Sequence, residues 1–151
     1  MDARPSLAIS FAPNFSVTIQ FSGVQRYELV GPEYRFNFSC RVLHSKGEFT
    51  YVGRDICFDL QTFREFVEQL DAIRTGKAVS ARFHEVGDMI EFSVEICERK
   101  AQASLAIREY QPNDEQTRFS ASFQVDYDLF VNALHSKVTE FIEEVENATS
   151  V

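Results

Sequence analysis

The sequence predicts an α+β fold. About eight antiparallel strands form one curved sheet or two packed sheets, with two amphipathic helices, as two related β-β-β-β-α halves. Three observations carry this reading. The first is a pattern that occurs twice: an alternating strand runs into an aspartate, and a helical stretch with a phenylalanine four residues on follows. One copy is Ile56-Cys57-Phe58-Asp59-Leu60-Gln61-Thr62-Phe63; the other, 67 residues later, is Phe123-Gln124-Val125-Asp126-Tyr127-Asp128-Leu129-Phe130. In both, apolar spacing changes at the aspartate from period two to period 3.6, and its carboxylate can accept first-turn amides. The second observation is the clean strand alternation before each aspartate. The third is a pair of apolar stripes at helical spacing after it.

Four strands alternate without a break. Phe15, Val17, Ile19 and Phe21 interleave with Ser16, Thr18, Gln20 and Ser22. Tyr34, Phe36, Phe38, Cys40 and Val42 interleave with Arg35, Asn37, Ser39 and Arg41. The same holds for Ile90, Phe92, Val94 and Ile96, and for Phe119, Ala121, Phe123 and Val125. One apolar and one polar face per strand is the pattern of an antiparallel sheet. Weaker strands are expected at 7–11, 48–58, 79–85 and 103–110. Turn residues separate them, at Ala12-Pro13-Asn14, Ser45-Lys46-Gly47, Val86-Gly87-Asp88 and Gln111-Pro112-Asn113-Asp114. The stretch from Gly23 to Glu33 reads as a longer connection, explained most simply as a crossover between sheets.

The first helix is predicted from Leu60 to Thr75, with Phe63, Phe66, Val67, Leu70 and Ile73 on one face and Gly76 placed to end it. The second is predicted from Tyr127 to Asn147, with Phe130, Leu134, Val138, Phe141, Ile142 and Val145 as its stripe. Such stripes cover sheets. With no low-complexity linker between the halves, residues 1–151 read as a single domain. Its core is expected to include Phe36, Phe38, Phe63, Phe66, Phe92, Phe119, Phe123 and Phe141.

Composition bounds the function. Hydrophobic residues make up 44% and charged residues 25%, as in ordinary globular chains, and there are 15 phenylalanines but no tryptophan. A net charge of −8 repels nucleic acid and anionic membranes, so neither is expected as a partner; a charge-driven partner would be basic. Met1-Asp2-Ala3-Arg4-Pro5 leads straight into a strand pattern without a signal peptide, and no apolar run approaches a membrane helix. Cys40, Cys57 and Cys97 are odd in number and scattered, which fits reduced thiols in a cytoplasmic protein.

Signatures of catalysis are missing. The chain has no G-x-S-x-G, H-E-x-x-H, C-x-x-C or phosphate-loop motif, and six glycines leave little from which to build one. No catalytic residue, metal ligand set or cofactor is therefore assigned. The one compact polar group, Arg82-Phe83-His84-Glu85 with Asp88, reads first as a solvated turn and only secondarily as part of a metal or general-base site.

Charge is uneven along the chain. From Asp126 onward there are six carboxylates against the single cation Lys137. Asp126 and Asp128 suit a helix start, whereas Glu140, Glu143, Glu144 and Glu146 lie near its end, where the macrodipole disfavours anions. Either this is a solvated face that aids solubility, or it is a docking surface for a basic partner. On the second reading those four glutamates are the partner-binding candidates.

The order of a strand-rich half, Asp59-Leu60-Gln61-Thr62-Phe63-Arg64-Glu65-Phe66-Val67-Glu68-Gln69-Leu70, Gly76-Lys77-Ala78, further strands, Phe119 to Asp126 and a closing helix resembles the WapI-type immunity proteins and their uncharacterised small acidic bacterial relatives. The likeness spans nearly the whole chain as a pattern, without a diagnostic motif. It implies a cytoplasmic protein that binds and neutralises the toxic C-terminal domain of a polymorphic toxin, and it supplies no catalytic residues. Such toxin domains are often nucleases, whose basic surfaces suit an acidic partner. The alternative function is a small-ligand-binding or enzymatic domain that uses a cleft between the two halves.

Overall fold

The computed structural model describes residues 4–11, 13–110 and 116–150. Strands β1 (Ser6–Phe11), β2 (Phe15–Tyr27), β3 (Gly31–His44) and β4 (Gly47–Cys57) form one four-stranded sheet, and α1 (Leu60–Arg74) follows. Strands β5 (Ser80–His84), β6 (Ile90–Cys97), β7 (Lys100–Tyr110) and β8 (Gln116–Val125) form a second, followed by α2 (Tyr127–Thr149). All pairings are antiparallel and between sequence neighbours. The chain is thus α+β, in two β-β-β-β-α halves. Part of the Ala12 turn and all of the expected Gln111–Asp114 turn lie outside the described residues.

Register explains the burial. Val17 faces Cys40, Ile19 faces Phe38 and Phe21 faces Phe36 across the β2–β3 ladder, so every buried side chain of the pair falls on one face. In the second sheet Phe83, Phe92, Leu105 and Ala121 line up in the same way. The two halves share one core. At its centre Phe36 of β3 meets Phe63 of α1 and Phe141 of α2, each at 5.9 Å between ring centroids. Phe63 in turn meets Phe83 of the second sheet at 5.2 Å, and Phe83 meets Phe92 at 5.1 Å. On another side Phe49 of β4 stacks on Phe119 of β8 at 3.8 Å, and Phe15 packs on Phe123 at 4.6 Å. Of the eight expected core phenylalanines, six are fully buried and Phe119 and Phe123 are half-buried; Phe15, Phe21, Phe58 and Phe83 join them.

Both repeated aspartates are helix caps. Asp59 and Asp126 have similar extended backbones and each carboxylate accepts one first-turn amide at 3.0 Å, from Gln61 and Leu129 respectively. Helix α1 ends as its sequence directs. Gly76 takes a left-handed φ of +75°, and the amides of Gly76 and Lys77 return to the carbonyls of Ile73 and Ala72.

One expectation is overturned. Gly23 to Glu33 is not a crossover but a hairpin. β2 continues through a bulge at Phe21/Gly23 to Tyr27, and β3 begins at Gly31, with Tyr27 paired to Gly31 and Arg26 to Pro32. The ladder with β4 starts only at Arg35, so the β4 side of β3 is unpaired at Pro32 and its missing N–H costs no bond there. Gly31, at φ +80°, supplies the left-handed residue that a three-residue hairpin loop requires.

Candidate functional site

Helix α2 buries Val131, Leu134, Val138, Phe141, Ile142 and Val145, so its other face carries Glu140, Glu143, Glu144 and Glu146 outward. The four do not behave alike. Glu146 Oε1 sits 2.6 Å from Arg64 Nη2 of α1 and ties the helices together across half-exposed side chains. Glu140, Glu143 and Glu144 are exposed, and among the described residues no ion pair engages them. Glu146, disfavoured by the macrodipole, is thus held by a cation of the neighbouring helix.

Sequence reading missed the neighbour of this acidic end. Arg26 of β2 donates to the Thr149 carbonyl at 3.1 Å, which brings the β2–β3 hairpin against the last turn of α2. The hairpin tip holds Leu29 at 99% exposure and Val30 at 83%. A polar network stiffens its base. Arg35 pairs with Glu33 at 2.8 Å and donates to the Asp55 carbonyl at 3.1 Å, while the Cys57 thiol donates to Glu33 at 2.9 Å. The thiol bond and then Arg35 hold the Glu33 carboxyl below its usual range. Burial, followed by that same bond, pushes the Cys57 thiol up to about 11, so it serves as a protonated donor rather than a nucleophile. Burial also lifts Cys40 to about 11. All three cysteines are free: Cys40 is buried, Cys57 half-buried and Cys97 exposed.

The polar group at His84–Asp88 is more than a solvated turn. Glu85 is 4% exposed, and its carboxylate accepts the Gly87 amide at 2.8 Å and the Met89 amide, closing the β5–β6 turn from inside. His84 Nδ1 lies 2.8 Å from Asp88 and 3.0 Å from the Glu85 carbonyl. Among the described residues no three His, Cys, Asp or Glu side chains stand where they could share a metal ion. The third histidine, His135 of α2, places Nε2 3.0 Å from Asp71 of α1. That approach does not meet hydrogen-bond geometry, and the buried Nε2 has no hydrogen-bond partner among the described residues.

A cleft of about 520 Å³ opens where the two halves meet, between the end of α1, the start of α2 and the β6–β7 turn. Ile73, Ala78, Val79 and Ile96 form its apolar wall, with Arg99, Asp126 and Asp128 also in its lining. The Tyr127 hydroxyl spans the junction by donating to the Ile73 carbonyl at 3.2 Å. Among the described residues no helix is long and apolar enough to cross a membrane. Compared with the known protein families, with curated proteins and with solved structures, the chain matches none.

Proposed function

We propose that this chain is a non-enzymatic protein-binding module that covers a basic protein partner. In its specific form it is a cytoplasmic immunity protein that neutralises the toxic C-terminal domain of a polymorphic toxin. One observation carries the reading: the β2–β3 hairpin, with its exposed apolar tip, meets the last turn of α2, the helix that carries the unpaired carboxylates. Glu140, Glu143 and Glu144 supply long-range attraction, and Leu29 with Val30 supply the short-range apolar contact that holds a complex together. Glu146 contributes charge but is already engaged with Arg64. The runner-up, a small-ligand-binding or enzymatic domain, is favoured by the cleft between the halves.

The test takes an inactivated toxin domain from a gene adjacent to this one, whose presence the reading requires, and measures association and dissociation separately. Reversing Glu140, Glu143 and Glu144 to lysine should slow association, and the wild-type rate should fall with added salt, because steering is screened beyond about 8 Å at physiological ionic strength. Replacing Leu29 and Val30 with serine should speed dissociation and leave association nearly unchanged. Unaltered rates in both variants overturn this surface. Turnover of a small molecule by the isolated chain overturns the non-enzymatic reading itself.

A further inference from the structure

We propose that the cleft between the end of α1 and the start of α2 binds a small zwitterion with an apolar body, of the size of a free α-amino acid. This site is separate from the acidic helix end and does not depend on the protein-binding reading. Its volume of about 520 Å³ lies within the range of small-ligand sites. Ile73, Ala78, Val79 and Ile96 give the cleft an apolar wall, and Val79, 65% exposed, leaves part of that wall open to an apolar ligand body.

The charges in the lining are arranged for a ligand with two opposite ends. Arg99 comes from the β6–β7 turn; Asp126 and Asp128 come from the start of α2. Opposite charges sharing a cleft would ordinarily pair, yet Arg99 lies within 4.0 Å of neither aspartate. Asp126 already gives one oxygen to the Leu129 amide, whereas among the described residues the Asp128 carboxylate and the Arg99 guanidinium have no hydrogen-bond or ion-pair partner. A ligand ammonium on Asp128 and a ligand carboxylate on Arg99 would close that gap. Two carboxylates, one guanidinium and the positive end of a 23-residue helix come close to electrical balance, which favours a neutral zwitterion over a net ion.

The turn that holds Arg99 supports the assignment. Cys97 pairs with Lys100, leaving a two-residue hairpin loop in which Glu98 and Arg99 have φ of +49° and +68°. Such loops favour Asn-Gly, because a Cβ in the left-handed region is strained. Arg99 is exposed and no ion pair or hydrogen bond within the described residues offsets the strain. A rule broken without local compensation points to a role outside the fold.

The experiment titrates the isotope-labelled full chain with L-phenylalanine, phenethylamine, which lacks the carboxylate, and 3-phenylpropionate, which lacks the amine. Amide shifts are expected at 73–79, 96–99 and 126–128, with the amino acid binding at least about tenfold tighter than either analogue, as expected when one charged hydrogen bond is lost. Arg99→Gly should equalise the amino acid and the amine while raising Tm, since it relieves the turn; Asp128→Asn should equalise the amino acid and the acid. No localised shifts at tens of millimolar ligand would overturn the proposal. So would equal affinity for all three compounds, or undiminished amino-acid affinity in Arg99→Gly with its Tm raised.

Discussion

Replacing Phe36 with alanine tests whether the two halves form one cooperative unit. The side chain is fully buried, and rings from Phe21, Phe58, Phe63 and Phe141 surround it at 5.6–5.9 Å. Phe21 belongs to the neighbouring strand β2, Phe58 to the link between β4 and α1, Phe63 to α1 and Phe141 to α2. Truncating a buried phenylalanine costs about 3–5 kcal/mol, set against a total stability of about 5–15 kcal/mol. With a urea slope of about 2 kcal/mol per molar, a loss of about 4 kcal/mol moves the midpoint down by about 2 M. The assay is urea denaturation followed by tyrosine fluorescence and by hydrogen exchange at the amides of β6 and β7, which lie far from position 36 in sequence. Because Phe36 reaches Phe141, protection in β6 and β7 should fall by the same free energy as the global signal. Two outcomes refute this reasoning: a loss below about 1 kcal/mol, or β6–β7 protection that survives after the first sheet has melted.

Alanine at Asp59 or Asp126 should each cost about 1 kcal/mol in denaturation, because one first-turn amide loses its acceptor. Glu85→Gln should cost about 1–3 kcal/mol, since a carboxamide offers one acceptor oxygen where the Gly87 and Met89 amides now share two; chemical denaturation reads it directly. A thiol reagent at pH 8 should modify Cys97 at once and Cys40 and Cys57 only on unfolding, as mass spectrometry would count. Both hindered thiols are raised from 9.0 to about 11, so the folded state holds their protons more tightly than the unfolded state. Their contribution to stability is therefore intact below pH 9 and is lost as pH climbs from 9 toward 11, which melting curves across that window should show.

What the sequence revealed was periodic, and what it hid was long-range. Strand phase, both caps and the Gly76 stop were legible because each is written within a few residues. The β2–β3 hairpin was not, because Gly23 reads as a breaker until a bulge absorbs it and because Gly31-Pro32 reads as a loop until the unpaired β4 side of Pro32 is known. Glu85 looked solvated because nothing in Val86-Gly87-Asp88-Met89 shows that the turn folds inward, with the Val86 amide donating to the Cys57 carbonyl. Helical spacing was enough to place Glu140, Glu143 and Glu144 on the exposed face of α2. The pairing of Glu146 with Arg64 across 82 residues, and of Arg26 with the end of α2, has no local signature. The exposed tip had a sequence signal that could have been weighed: Leu29-Val30 occupies a position where turns favour Gly, Asn, Asp and Ser.

The meeting of Phe36 with Phe141 also sets the order in which the molecule can be completed on the ribosome. Every strand pairs with its neighbour in sequence, so each meander can zip up as soon as it emerges, with short loops and little closure entropy. The central ring, however, waits for a partner 105 residues further on, in α2. Until α2 leaves the exit tunnel, the nascent first sheet displays the aromatic face that the finished protein hides. Premature termination anywhere before residue 141 would strand it in that state, and such fragments should be bound by holding chaperones far more than the full-length chain.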